Sequence, residues 1–208
     1  MITAQQALER LRAGNQRFVD GQHGNLEAIN PARRDQLATG QEPFAVILGC
    51  SDSRVPPELL FDQGLGDLFV IRVAGNIVSD DETGSVEFAV QAFNTPLVIV
   101  LGHSSCGAIT SAVDALEQPD AELPTALRSI VARVRPAVES TLAQQKNGQE
   151  DRAALIDGAV CANVRASVEQ LYSQSELLAT RAGQGRLQVL GAQYGLGTGA
   201  VEFLDDCA

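Results

Sequence analysis

The sequence predicts an α/β protein: a mostly parallel central sheet flanked by helices, preceded by an N-terminal helical segment. Three observations carry this. Apolar runs rich in β-branched residues recur at 44–49 (FAVILG), 68–75 (LFVIRVAG) and 97–102 (LVIVLG), unbroken as in strands buried on both faces. The spacers between them have crossover length, and the one before the third run is helical in pattern. Finally, RLQVLGAQYGLGTGAVEFL at 186–204 reads as two strands joined by a Gly-Thr-Gly turn.

In chain order, residues 4–18 place Ala4, Ala7, Leu8, Leu11 and Phe18 at helical spacing, behind Thr3 and Gln6 as a capping box. The helical pattern breaks near Gly21 and Gly24. Between the second and third runs, DDETGSVEFAVQAFN puts Asp80, Asp81 and Glu82 in a first helical turn, where the helix dipole favours negative charge. CGAITSAVDAL, after His103, is a further helix. From about 123 to 182 the chain is largely helical, with breaks expected at Pro136 and around Asn147-Gly148. No internal repeat, linker or low-complexity tract interrupts the chain, so 1–208 is expected to form one domain.

With 45% hydrophobic and 20% charged residues, the composition is that of a folded globular chain. A net charge of −11 argues against nucleic acid as a partner, because phosphates would be repelled. No apolar run approaches the roughly 18 residues of a membrane span. The start, MITAQQALERLRAGNQRF, lacks the charged opening and apolar core of a secretory signal, so the expected location is the cytoplasm. There the four cysteines (50, 106, 161, 207) are expected as thiols. Only His23 and His103 can supply imidazole, and His23 sits in DGQHGN, a polar Gly-rich loop.

Ligands of open parallel sheets gather beyond the carboxyl ends of the strands. Cys50 follows the first strand directly; His103 follows the third, with Cys106 three residues on. Taken alone, a cysteine closing a strand is a small buried hydrophobe. Together, Cys, His and Cys form a set that holds catalytic zinc through three protein ligands and leaves a fourth position open. Cys106 lies near the start of a helix, where the dipole favours thiolate. Asp52 and Arg54 fall two and four residues after Cys50, on its face of an extended segment. Asp52 suits a fourth ligand that shuts the site, or an acceptor for water beside the metal. Arg54 would hold it ionised, unless the two are an ordinary surface ion pair.

CSDSRV at 50–55 and GHSSCG at 102–107 resemble the paired signatures of the β-class carbonic anhydrases. AGNQRFVDG, FDQGLGDLFVIRVAGN, TGSVEFAV, NVRASV and GAQYGLGTGAVEFL also resemble segments of that family, so the likeness covers nearly the whole chain. It implies a carbonate dehydratase, a zinc lyase for the reversible hydration of carbon dioxide to bicarbonate and a proton. One Zn2+ per subunit would be held by Cys50, His103 and Cys106, with Asp52 and Arg54 as the dyad beside it and Asp52 as fourth ligand in a closed state. Gln41, nine residues before Cys50, matches the glutamine that bonds substrate or product. Phe69 and Phe88 match the apolar substrate pocket, built partly from the neighbouring subunit, and Gly107 offers a backbone N–H there. Some members have tyrosine in place of Phe88.

The resemblance further implies a homo-oligomer, with the dimer as minimal unit and residues 1–40 as a helical dimerisation arm. It gives the Asn163-Val164 segment no chemistry. Cys161 is expected as a packed thiol and Cys207 as a tail thiol. Some bacterial members bind bicarbonate in a regulatory pocket of tryptophan, arginine and tyrosine. Arg72 and Tyr194 match two of these, but Ile47 stands at the tryptophan position and the chain has no tryptophan. Cooperative bicarbonate inactivation is therefore not expected. Two rival functions fit the same residues: hydrolysis of carbonyl sulfide or carbon disulfide, and a zinc-stabilised binding module without turnover.

Overall fold

In the computed structural model, residues 2–22, 24, 30–120, 122–144 and 151–204 are described. Helix α1 (Ala4–Val19) begins with the expected capping box: Gln6 N–H donates to Thr3 Oγ1 at 3.2 Å, and Thr3 N–H to Gln6 Oε1 at 2.9 Å. It ends before Gly21, whose φ of +68° suits a residue without Cβ. A short α2 (Pro31–Leu37) follows.

Among the described residues the sheet has five strands in the order β2-β1-β3-β4-β5. They are β1 (Ala45–Gly49), β2 (Leu68–Arg72), β3 (Leu97–His103), β4 (Gln188–Tyr194) and β5 (Val201–Phe203). All pairings are parallel except β4 with β5. Between β1 and β2 lies α3 (Pro57–Leu60), and α4 (Asp80–Phe93) crosses from β2 to β3. Beyond β3 come α5 (Gly107–Glu117), α6 (Thr125–Gln144), α7 (Arg152–Gln174) and α8 (Glu176–Gly183). The strands match the apolar runs, and both faces are covered, which is why those runs do not alternate.

One face, with Ala45, Ile47, Leu97, Ile99, Leu101, Ala192 and Tyr194, packs against Ala7, Leu8 and Leu11 of α1 and against Phe61. The other, with Val46, Leu48, Val98, Val100 and Val189, packs against α4, α7 and α8. Gly102 lets α7 lie close on β3: a Cβ there would come within 2.6 Å of Val164 Cγ2. A third cluster joins α5, α6 and α7 around Cys50 and Cys106.

Two expectations about chain breaks fared differently. Pro136 lies inside α6, which runs through it. Val131, Val134, Ala137 and Val138 anchor the inner face, while Pro136 and Ala132 are exposed. The carbonyl deprived of its N–H partner, that of Ala132, thus faces solvent, where water can satisfy it. Asn147-Gly148 lies outside the described residues, as do His23 and Cys207.

Candidate metal centre

β1 and β2 end level, Gly49 beside Arg72, while β3 runs two residues further, to His103. Cys50 is the first residue beyond β1 and His103 the last of β3; Cys106 is the N-cap of α5. Between the last two, Ser105 takes φ +55°, folding the chain back so that Cys106 faces Cys50. The ligand atoms of Cys50, His103 and Cys106 all lie within 4.8 Å of one another, and no member is more than 5% exposed.

The donor set itself fits a metal. His103 Nδ1 sits 3.0 Å from the carbonyl oxygen of Ser104, a pure acceptor, so Nδ1 carries the proton. Nε2 then holds a lone pair, and it is a buried atom with no hydrogen-bond partner. A neutral imidazole aimed by a carbonyl, beside two buried sulfurs, is what zinc requires and what a packed core would avoid. Cys106 hydrogen-bonds Cys50, which draws the Cys50 thiol down, to about 4, against the effect of burial. The same bond, reinforced by burial, pushes Cys106 up. The two sulfurs thus share a proton that a metal would displace. Cys50 Sγ also accepts the backbone N–H of Gly75 at 3.3 Å.

Asp52 and Arg54 pair, though not by strand alternation. The chain turns here: Val55 N–H returns to Asp52 O at 3.0 Å, and Asp52 Oδ1 takes Arg54 N–H at 2.9 Å. Within this turn Arg54 Nε donates to Oδ1 at 2.9 Å and Nη2 to Oδ2 at 2.7 Å. That guanidinium is the main reason the Asp52 carboxyl is held well below the usual carboxylate range. Asp52 Oδ2 lies 4.0 Å from His103 Nε2, at the edge of the cluster.

Arg72 does something the sequence reading did not foresee. Its Nε donates to Cys50 O at 3.0 Å and its Nη2 to Asp52 O at 2.6 Å, so it braces the loop that carries both residues. The signal was the register: Arg72 ends β2 directly beside Gly49, the residue before Cys50. Tyr194 is buried on the α1 face, its ring edge-on to Phe18, and Ile47 is fully buried.

The remaining site candidates divide. Gly107 opens α5 next to Cys106, at the cluster. Gln41, Phe69 and Phe88 are elsewhere. Gln41 precedes β1, lining a cavity of about 420 Å3 with Ile2, Phe44, Phe93 and Pro96 at the opposite end of the strand from Cys50. Phe69 on β2 packs its ring against Phe88 and Phe93 of α4, each at 6.1 Å, and Phe88 is 56% exposed. Cys161 is half-buried and donates to Gln193 Oε1 at 2.6 Å, the packed thiol expected.

The sequence model of a family described as carbonic anhydrase matches residues 45–201. The chain is 40% identical over 202 residues to carbonic anhydrase 2 of Mycobacterium tuberculosis, covering 96% of this chain and 92% of that one. It is 39% identical to the carbonic anhydrase of Mycolicibacterium smegmatis over 202 residues, 95% of this chain and 91% of the relative. Among solved structures, the β-carbonic anhydrase CafA of Aspergillus fumigatus superposes with a TM-score of 0.76 at 27% identity, covering 94% and 89% of the two chains. The β-carbonic anhydrase CcaA gives 0.73 at 29% identity, covering 95% of each. One of two tetrameric β-carbonic anhydrases from Sordaria macrospora gives 0.75 at 25% identity, covering 89% and 92%.

Proposed function

The chain belongs to the β-class carbonic anhydrases, lyases whose general reaction is carbon dioxide hydration, and from that premise we propose that it performs this reaction reversibly with zinc. The observation that carries the proposal is the buried, unpartnered Nε2 of His103 among Cys50, Cys106 and Asp52. Cys50, His103 and Cys106 would hold the ion, one per subunit. When bound, zinc lowers the pKa of water it coordinates towards about 7, which makes a nucleophile available at neutral pH.

The chain's own residues supply the rest. Asp52, kept ionised by Arg54, accepts a hydrogen bond from the attacking water through Oδ2 and so aims its lone pair at the substrate carbon. The Arg54 bonds also hold the carboxylate off the metal position; losing them would free Asp52 to become a fourth ligand and close the site. The N–H of Gly107, in the first turn of α5, is a donor for an oxygen of the forming bicarbonate. Carbon dioxide is apolar and needs a dry wall. Phe69 and Phe88 provide one, with Gln41 bonding a substrate oxygen. They reach the metal only from a second copy of the chain, since their own metal cluster lies at the other end of the sheet.

The working unit is therefore a homodimer within a homo-oligomer, and tetrameric relatives fit this. Residues 1–208 act as one domain, with 1–40 contributing the dimerisation arm. The inner face of α1 packs on its own sheet, leaving its outer face for a partner. No described helix is long and apolar enough to cross a membrane. A cytoplasmic, reducing location suits ligand thiols that must stay unoxidised.

Stopped-flow hydration of carbon dioxide with metal analysis on one preparation tests the proposal. The expected result is about one zinc per chain and rapid turnover. Metal without turnover would favour the binding module; preferential turnover of carbonyl sulfide or carbon disulfide would favour the sulfur-substrate hydrolase.

A further inference from the structure

Asn163 is an amide in the middle of α7, only 3% exposed, on a helix whose other inward residues include Val160, Val164 and Leu171. Asparagine is a poor interior helix residue, and burying its amide is costly without partners. Its Nδ2 donates to Gly75 O at 2.8 Å. One turn later Ser167 Oγ donates to Asn76 O at 3.1 Å. Both acceptors belong to the 3₁₀ turn Ala74–Asn76, which follows β2. The N–H of that same Gly75 is the donor on Cys50 Sγ.

Gly75 adopts φ +74° and ψ +17°, and Asn76 also has positive φ, +42°. A glycine fills a broad left-handed basin, so its own conformational preference does not fix the direction of its N–H. Nor would a larger residue fit, because a Cβ would come within 2.9 Å of Ala108 Cβ. The direction must be fixed from outside. The Asn163 bond anchors the carbonyl of Gly75, one peptide plane from the N–H that meets the sulfur. An N–H on a thiolate withdraws charge from it and weakens its donation to a metal, a standard means of tuning metal sites.

We propose that Asn163 is a positioning residue for the metal-binding sulfur, holding the Gly75 peptide so that its N–H stays on Cys50 Sγ. This rests on the reading that Cys50 ligates the metal. Ser167, which holds the next carbonyl along, steadies the turn without anchoring the plane beside that N–H.

Cobalt(II) in place of zinc makes the sulfur visible through its thiolate-to-cobalt charge-transfer absorption. Asn163→Ala is expected to move that band to longer wavelength, because a sulfur without the N–H keeps more charge to give to the metal. Ser167→Ala loosens the same helix–turn contact; it should lower the melting temperature while leaving the band in place. Should Asn163→Ala fail to fold, Asn163→Ser, whose side chain stops short of the carbonyl, carries the same expectation. An unmoved band in a folded Asn163 variant overturns the inference, as does an equal shift in Ser167→Ala, which would assign the effect to the turn as a whole. A wild-type protein with no sulfur-to-cobalt band would remove the metal reading itself, and this inference with it.

Discussion

At the carboxyl ends of β1 and β3, Cys50, His103 and Cys106 are buried and braced by Arg72, Gly75 and Ser104 of the same chain. At the amino ends, Gln41 lines an open cavity and Phe88 offers an exposed ring beside Phe69 and Phe93. β1 spans five residues, and at about 3.3 Å per residue roughly 16 Å of strand separates the two regions. No side-chain rotation bridges that gap. The Cys-His-Cys cluster thus belongs to one chain, while Gln41, Phe69 and Phe88 lie too far away to reach it; in the proposed homodimer a second copy would use them.

The largest effect expected is at the completed end. Cys106→Ala should lose nearly all zinc and activity, whereas Cys207→Ala should change neither; full zinc occupancy in Cys106→Ala, measured by metal analysis, would break the comparison at its stronger half. Next comes the carboxylate. Asp52→Asn should keep zinc yet lose about 10²- to 10³-fold in kcat, since an amide cannot orient the attacking water as a carboxylate does. Arg54→Ala should also be damaging. Near wild-type turnover in Asp52→Asn would make the carboxylate purely structural.

Gln41→Ala should be weakened by about 10²-fold, the usual loss for one positioned hydrogen-bond donor. Its more telling use is in mixtures. If the pocket is shared between copies, co-refolded Gln41→Ala and Cys106→Ala chains form one intact site in each mixed dimer. About a quarter of wild-type activity should return, given random pairing in a two-fold dimer. A mixture no better than its two parents would place Gln41 and the metal in the same chain's site, against the geometry.

Smaller effects concern bicarbonate. Ile47 is fully buried and offers no N–H, and the Arg72 guanidinium is already bonded to Cys50 O and Asp52 O. A ligand can shift a conformational equilibrium only by its differential affinity. Initial rates against bicarbonate, taken at slightly acidic and alkaline pH, should show simple product inhibition; a steeply sigmoidal loss would show a regulatory pocket that survives without tryptophan.

The smallest effect tests the amino end of β4. Tyr172 Oη accepts the backbone N–H of Val189 at 3.2 Å, and burial raises the phenol pKa. Because the folded state disfavours the ionised ring, this contribution to stability is intact below the unfolded phenol pKa of about 10 and is lost as pH rises from there through the raised folded value. Tyr172→Phe should cost about 1 kcal/mol at neutral pH, from the lost hydrogen bond, and flatten the alkaline decline. Urea melts at neutral pH and above pH 10 measure both.

Much of this was legible in the chain itself. The strands announce themselves because apolar runs buried on both faces need no partner to be recognised, and the capping box of Thr3 and Gln6 is a local pattern that the structure reproduces. The Cys-His-Cys grouping was legible too: Cys50 and His103 each stand at the end of a strand in one mostly parallel sheet, so topology alone brings them to a common edge. The break expected at Pro136 was not found, because helix continuation there depends on which way the freed carbonyl faces, and that is decided by packing.

Sequence by itself determined the class of fold, the three side chains that cluster (Cys50, His103 and Cys106) and the family, all of which follow from residue type and short spacing. Tertiary structure decided how those side chains are aimed. The tautomer of His103 follows from the Ser104 carbonyl, the pose of Asp52 from Arg54 and a turn, and the loop's position from Arg72 on another strand. It also set Gln41 and Phe88 apart from their own chain's Cys-His-Cys cluster. Hydrogen bonds act over about 3 Å and depend on angle, so their partners are fixed only when segments distant in sequence have packed.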